Sequence, residues 1–266
     1  YSGEYIDSTE GYVTAEMDFR RDHFPAAKTL CYSKDDFIPG IFKGNVVYEY
    51  MKHMSDALHS VGRFMMGNGT PCAMWLLPVT LDVAGTETDW NPGNKWTPMS
   101  MEELCYRRCL CAAKPYCFLM NTRFEDFTSE MIEKYMLRSL AFGMFPGFFS
   151  ADAATGHYFS SPKVYNRDRA LFKKYVPIVK LVAEAGWRPV TGAQTGSKLH
   201  LERFGERYLT IFNPEAEKVS GSIYFDSMVK GRAADLVSGG HVDIVDGTCF
   251  IEVEPEMTLV LDMVNV

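Results

Sequence analysis

The sequence predicts an α/β region followed by an all-β region in a chain of 266 residues. Short apolar runs alternate with helical periodicity through the first two-thirds, which is typical of parallel strands joined by helices. From about Thr195 the apolar residues follow a period of two instead. We therefore expect a (β/α)8-type barrel that lacks its first strands over residues 1–192, and an antiparallel β-sandwich over residues 193–266.

The first predicted elements lie within residues 4–67. Residues 4–8 and 28–33 are short apolar runs that end in polar residues, and both are predicted strands. A third strand at residues 63–67 leads into Asn68. A helix is predicted between them, at residues 44–61, because apolar side chains recur there at intervals of three and four: Val47, Tyr50, Met51, Met54, Ala57, Leu58 and Val61.

Three further strands and three helices continue the α/β pattern. The strands are predicted at residues 79–85, 116–120 and 144–149. A helix over residues 100–113 begins with Ser100 and Glu103 at the spacing of a capping box. Helices are also expected over residues 129–142 and 168–184, and Pro177 should kink or split the last one.

The C-terminal region contains short period-two runs separated by turn residues. The runs are LHLERFG, YLTIFN, VSGSIYF, HVDIVDG, CFIEVEP and TLVLDMV. Turn pairs such as Asn213-Pro214, Gly239-Gly240 and Asp246-Gly247 lie between them. Short strands with regular turn signals predict the antiparallel sandwich.

Two closures of a parallel sheet fit the alternation, a doubly wound open sheet and a barrel. Neither G-x-G-x-x-G nor G-x-x-x-x-G-K-[ST] occurs, which disfavours a nucleotide-binding open sheet. The six predicted strands all end in polar residues, as strands do at the active-site end of a barrel. A closed barrel needs eight strands. We expect the first two to precede Tyr1, since the chain begins without an initiator methionine, or to come from a partner chain.

Charge and hydropathy exclude several classes of protein. The chain has 27 Lys and Arg against 34 Asp and Glu, a formal net charge of −7. This balance argues against binding to a phosphate backbone, so no nucleic-acid partner is expected. No apolar run approaches the about 20 residues of a membrane helix, and no secretory signal is visible. We expect a soluble protein without a membrane partner, and the sequence assigns no compartment.

The seven cysteines and six histidines predict no metal site. Cys105, Cys109, Cys111 and Cys117 have a spacing that matches no common zinc pattern, and the histidines form no H-x-x-x-H. We expect small buried thiols, with a metal or redox site as the alternative. No cofactor is expected.

The strand ends offer carboxylates, amides, hydroxyls and aromatic rings, which suits carbohydrate chemistry. Hydrolysis of a glycosidic bond needs two carboxyl groups, one protonated acid and one base or nucleophile. Asp7 ends a buried apolar strand, where a charge is costly without a function, and is the candidate nucleophile or base. Glu87 is the candidate acid and Asp82 its rival. The structural alternatives are a cap for Asp7, a solvated loop residue for Glu87 and a structural hydrogen bond for Asp82.

Other side chains near the strand ends are candidate substrate-binding groups. Asparagine at such a position is equally often turn chemistry, and the two tryptophans, at positions 90 and 96, are equally consistent with loop packing. The candidates are Glu10, Tyr32, Asn68, Trp90, Asn121 and Asp152.

The chain resembles the later part of a TIM-barrel glycoside hydrolase with an appended C-terminal β-sandwich. The segments that carry the resemblance are YIDSTEGY, LDVAGTETDW, KPYCFLMN, RDRALFKKYVPIVKLVAEAGWRPVTGA, LERFGERYLTIFN and ADLVSGGHVDIVDGTCFIEVEPEMTLVLDMV. The junction is similar to that of many bacterial polysaccharide-degrading proteins. The resemblance implies hydrolysis of an O-glycosidic bond in an oligo- or polysaccharide, with Asp7 as nucleophile and Glu87 or Asp82 as acid/base.

Two other functions are compatible with the sequence. A non-catalytic carbohydrate-binding protein on the same scaffold would use Trp90, Trp96 and Tyr32 without paired carboxylates. A fragment or subunit would need a partner chain, or a missing N-terminal segment, to complete the barrel. The fold alone does not decide between these functions, because barrels host many activities.

Overall fold

The chain is divided into two compact units. The computed structural model describes residues 2–9, 14–69, 76–149 and 157–266. The units are Tyr1–Thr86 and Glu87–Val266, and the division falls inside the strand Val83–Thr88. The domain boundary that the sequence suggests, between residues 192 and 193, stays a prediction.

The first unit combines a parallel set of strands with a small antiparallel sheet. Its elements are β1 (Gly3–Ile6), β2 (Met17–Asp18), β3 (Cys31–Tyr32), β4 (Pro39–Phe42), α1 (Lys43–Ser60), β5 (Phe64–Asn68) and the start of β6 (Val83–Thr88).

Strands β1, β5 and β6 pair in parallel, as the alternation of strands and helices predicts. Gly3 is opposite Phe64 in the β1–β5 pair, and Met66 is opposite Val83 in the β5–β6 pair. Helix α1 lies between β1 and β5 in the chain and lies within one residue of its predicted position. The carboxyl ends of β1 and β5 therefore lie at the same edge, where Asp7 follows one strand and Asn68 ends the other.

The prediction of a barrel strand at residues 28–33 was wrong. The structure has only β3 there, and β3 pairs with β4 in the antiparallel order β2-β4-β3. Parallel neighbours need a crossover of a dozen or more residues, whereas only residues 33–38 separate β3 from β4. A local hairpin is the only pairing that so short a connection permits.

The second unit begins with helices and parallel strands. These are α2 (Met101–Cys111), β7 (Tyr116–Met120), α3 (Ser129–Ala141), β8 (Phe145–Phe148) and α4 (Pro162–Ala185). Strands β7 and β8 pair in parallel, with Cys117 opposite Phe145. The Ser100 hydroxyl accepts the Glu103 amide hydrogen at 3.2 Å, which confirms the predicted cap of α2. Helix α4 is one helix through Pro177, so the expected split does not occur.

The rest of the second unit is antiparallel, as predicted. Strands β10, β13 and β16 form one sheet, and a second has the order β15-β14-β17-β12-β11-β9. Apolar side chains of both sheets share one core. The strands are β9 (Trp187–Arg188), β10 (Ala193–Thr195), β11 (His200–Phe204), β12 (Tyr208–Phe212), β13 (Val219–Phe225), β14 (Gly231–Asp235), β15 (His241–Ile244), β16 (Thr248–Val253) and β17 (Thr258–Asp262).

Helix α3 packs on the outer face of the six-stranded sheet. Thr210 of β12 donates its hydroxyl hydrogen to the Ala141 carbonyl at 2.6 Å, and Thr258 of β17 donates to the Leu137 carbonyl at 2.7 Å. All five residues of β12 are buried, because one face of the strand joins the shared core and the other meets α3. Two-sided burial explains why YLTIF lacks a clean alternation.

No helix in the described part of the chain combines the length and the apolar character that crossing a membrane requires.

A buried ion pair fixes α3 to the turn before β17. Arg138 donates from Nη2 to Glu256 Oε1 at 2.9 Å and from Nη1 to the Met99 carbonyl at 2.9 Å. The Arg138 side chain is 6% exposed and that of Glu256 is 16% exposed. Removal of one charge leaves the other buried without compensation, which costs far more than loss of a surface pair.

We predict that Glu256→Gln lowers the free energy of unfolding by about 3 kcal/mol. Glu254→Gln is the matched control, since the Glu254 carboxylate is 61% exposed and pairs with Lys218 on the surface. The control should lose less than about 1 kcal/mol. Urea unfolding followed by circular dichroism measures both, and equal losses in the two variants would contradict this account.

Candidate active site

Asp7 lies directly after β1 with its carboxylate held by three donors. The Asn68 side-chain amide donates to Oδ1 at 2.7 Å, the Tyr5 hydroxyl donates to Oδ1 at 3.3 Å, and the Ser8 hydroxyl donates to Oδ2 at 3.2 Å. Hydrogen bonds to the charged form, above all the one from Asn68, hold the pKa of Asp7 below its usual value. Asp7 is exposed despite these bonds, so its carboxylate is fixed and accessible.

The chain around Asp7 is tied to the end of β5. Asn68 is buried, and its carbonyl accepts the Thr9 hydroxyl hydrogen at 2.5 Å. Ser8, between the two tied residues, has a left-handed backbone with φ of 52°. A non-glycine residue in that region is strained and persists only where its surroundings hold it. The position of Asp7 is thus set by contacts with the neighbouring strand.

A cavity of about 660 Å³ lies beside Asp7 within the first unit. Its volume is in the range of small-ligand sites. Tyr5 and Tyr50 line it and are both about half exposed, and Lys43 adds a cation. Sequence reasoning missed these three residues because they lie within a strand or on a helix and not at a strand end.

Glu87 has a similar arrangement in the second unit. It lies in β6, one residue before its end, and is exposed. The Asn121 side-chain amide donates to Glu87 Oε2 at 3.3 Å, and the Asn121 main-chain amide donates to the Thr88 carbonyl at 2.8 Å. Asn121 follows β7, so here too an amide at the end of one strand orients a carboxyl group from the neighbouring strand.

Asp82 lies at the opposite end of its strand from the place that the sequence suggests. A 3₁₀ helix, Leu77–Thr80, occupies part of the predicted strand, and β6 starts only at Val83. Asp82 Oδ2 accepts the Met65 amide hydrogen at 2.8 Å and lies 2.9 Å from His59 Nε2. Asp82 therefore precedes β6 and makes structural hydrogen bonds. It does not lie beside Glu87 at the carboxyl end of this strand.

Trp90 lies in the core of the second unit. It is 1% exposed and makes edge contacts with Trp96, Phe118 and Tyr135, with ring centroids 5.0–5.9 Å apart. A ring so enclosed has no face left for a sugar. The structure therefore supports the loop-packing alternative for this residue.

Several buried polar atoms between residues 90 and 121 lack a hydrogen-bond partner in the described chain. They are Trp90 Nε1, Trp96 Nε1, both amide atoms of Asn91, Arg108 Nε and Asn121 Oδ1. A buried unpaired polar group costs about 1–3 kcal/mol, so such groups usually bind water or a ligand. The Asn121 carbonyl oxygen lies close to a candidate catalytic group, because the nitrogen of the same side-chain amide donates to Glu87.

The remaining candidates are Tyr32, which lies in another sheet, and two residues that the structure does not describe. Tyr32 belongs to β3 of the antiparallel sheet and is 68% exposed. Glu10 and Asp152 lie outside the described residues.

No protein-family model and no curated protein sequence matches the chain. Among solved structures it is similar to a maltogenic α-amylase from Thermotoga neapolitana, at 10% identity and a TM-score of 0.44 over 88% of this chain and 70% of that one. It is also similar to a GH27 β-L-arabinopyranosidase from Geobacillus stearothermophilus, at 13% identity and a TM-score of 0.46 over 82% of this chain and 54% of that one.

An α-galactosidase from Mortierella vinacea matches at 10% identity and a TM-score of 0.49, over 82% of this chain and 63% of the enzyme. The chain thus spans less than two-thirds of the last two structures. These neighbours are glycoside hydrolases, as the sequence resemblance predicts, and no single family is indicated.

We predict that carbon-detected NMR titration finds the pKa of Asp7 below the ordinary value of 3.8. Asn68→Ala should raise this pKa, because the largest stabilising bond to the ionised form is lost. Since folding depresses the pKa, the Asp7 contribution to stability is present above about pH 4 and is lost as the pH falls through the folded-state value. Asn121→Ala is the control and should leave Asp7 unchanged. A folded Asn68→Ala protein with an unshifted Asp7 would refute the assignment.

Proposed function

We propose that the chain hydrolyses a glycosidic bond in an oligo- or polysaccharide, with Asp7 as nucleophile or base and Glu87 as general acid. The observation that carries the proposal is the Asp7 carboxylate. It is exposed, held by three hydrogen-bond donors, stabilised in its charged form and placed beside a cavity of ligand size. An ionised carboxylate of this kind is what attack on an anomeric carbon, or activation of a water molecule, requires.

The two carboxyl groups have different tasks in this mechanism. Asp7 must stay charged to stabilise or attack the positively charged sugar ring, and its bond from Asn68 favours that state. Glu87 must deliver a proton to the leaving oxygen. Asn121 fixes the orientation of the Glu87 carboxyl group through Oε2, and a general acid depends on such positioning.

The surroundings of Asp7 suit a neutral, hydroxyl-rich substrate. Tyr5 and Tyr50 offer aromatic rings and phenol groups, and the ammonium of Lys43 can donate to hydroxyl oxygens. Tyr32 and Trp90 have no place in this proposal, whereas Glu10 and Asp152, which lie outside the described residues, stay predicted substrate-binding groups.

We predict that Asp7→Asn and Glu87→Gln each reduce hydrolysis by about 10²–10⁴-fold on a glycan that the unaltered chain cleaves. Both changes are nearly isosteric, and both residues are exposed, so the variants should fold. Asp22→Asn is the control, since the Asp22 side chain is 81% exposed in a separate part of the first unit. Product analysis across a panel of oligosaccharides, with unfolding curves of every variant, measures the effect.

Full activity in either carboxylate variant would overturn its assigned role. If calorimetry detects glycan binding while no glycan in the panel is cleaved, the chain is a non-catalytic carbohydrate-binding protein. The same result with cleavage restored by a second chain would favour the subunit alternative.

A further inference from the structure

Three side chains of the second unit bring metal-binding atoms together. Cys105 Sγ on α2 lies 3.9 Å from His200 Nε2 on β11, and His200 Nε2 lies 2.8 Å from Glu202 Oε1. The three ligand atoms all lie within 4.8 Å of one another. Glu202 is buried, whereas Cys105 and His200 are partly exposed, so the group is reachable from solvent.

This arrangement differs from that of a catalytic cysteine with its histidine and carboxylate. Such a triad uses both ring nitrogens, one for the nucleophile and the other for the orienting carboxylate. Here the same nitrogen, Nε2 of His200, faces both Cys105 and Glu202. A thiol, an imidazole nitrogen and a carboxylate that converge on one point match the requirement of a metal ion.

Two of the three distances between the ligand atoms are close to those of a tetrahedral zinc site. Zinc–sulfur bonds of about 2.3 Å and zinc–nitrogen or zinc–oxygen bonds of about 2.0–2.1 Å put sulfur about 3.6 Å from nitrogen, and nitrogen about 3.3 Å from oxygen. The Cys105–His200 distance of 3.9 Å needs to shorten by a few tenths of an ångström. The 2.8 Å between His200 and Glu202 must lengthen by about half an ångström, which rotation of the carboxylate provides.

We infer that Cys105, His200 and Glu202 bind one Zn²⁺ ion, with water in the fourth position. The thiolate and the carboxylate together neutralise the charge of the ion, and the softness of the thiolate favours zinc over magnesium or calcium. Zinc takes the place of the hydrogen now shared between His200 and Glu202, so binding releases protons. The inference is independent of the proposed hydrolysis.

Neighbouring residues orient two of the ligands. The Trp187 indole N–H donates to Glu202 Oε2 at 2.6 Å, which leaves Oε1 directed at His200. The Phe142 ring stacks on the His200 imidazole with centroids 4.9 Å apart. Partners of this kind around the ligands fix ligand orientation in metal sites. Trp187 is thus a positioning residue.

The test uses the full chain freed of metal under reducing conditions. Zinc affinity is measured by competition with a chromophoric chelator, and cobalt(II) is added separately to detect a thiolate-to-cobalt charge-transfer band. The variants are Cys105→Ser, Trp187→Phe and, as the matched control, Cys109→Ser. Cys109 lies one turn further along α2, is exposed and lies outside the group. Unfolding curves with and without zinc show whether each variant is folded.

We expect one zinc ion per chain, a charge-transfer band with cobalt and a melting temperature that zinc raises. Cys105→Ser should weaken zinc binding at least about 100-fold and abolish the band, Trp187→Phe should weaken it about 10-fold, and Cys109→Ser should change neither. Absence of the band in the unaltered chain would overturn the inference even if a variant fails to fold. Equal zinc affinity in Cys105→Ser and the unaltered chain would overturn it as well.

Discussion

The second unit depends on helix α3 being enclosed on all sides. Every residue from 135 to 141 is buried, and seven residues make about two turns, so no face of this segment meets water. Strand β8 and helix α4 cover part of it, and β12 and β17 cover the rest. A buried polar group on such a helix is costly without a partner. Glu256 compensates Arg138, while hydroxyls of the sheet bond the helix carbonyls. Within this unit, helix α3 thereby packs against both the parallel strand β8 and the six-stranded antiparallel sheet.

The same type of hydrogen bond, from an asparagine amide, positions both proposed catalytic groups. Asn68, at the end of one strand, bonds Asp7 from the strand beside it, and Asn121 bonds Glu87 in the same way. Parallel pairing produces both contacts, because it brings the carboxyl ends of neighbouring strands to one edge. An amide suits this task, since its N–H orients a carboxyl oxygen without adding a charge. At Asp7 the bond from Asn68 also holds the pKa of the carboxyl group below its usual value.

Features that depend on local sequence patterns were predicted better than features that depend on long-range contacts. The period of α1, the Ser100 cap and the turn-separated runs after Thr195 are local signals, and the structure follows them. The prediction of a barrel strand at residues 28–33 was wrong because the length of the connection, and not the composition, decides whether neighbouring strands are parallel. Strand ends predicted Asp7, Asn68, Glu87 and Asn121, which the structure brings into two contacts while their roles stay predictions. The prediction of Trp90 as a substrate-binding residue was wrong because the exposure of a side chain cannot be derived from its residue type. The Cys105–His200 contact joins residues 95 apart, so no spacing rule could find it.

If Asp7 and Glu87 act on the same bond, their carboxyl groups lie on either side of it, and the distance between them is fixed by the mechanism. A crystal structure with a bound oligosaccharide should place the two carboxyl carbons on either side of one glycosidic oxygen. We expect about 5–5.5 Å between them if the enzyme retains anomeric configuration, or about 6.5–9.5 Å if it inverts it. Carboxyl groups farther apart than about 12 Å, or facing different cavities, would contradict the two-carboxylate mechanism.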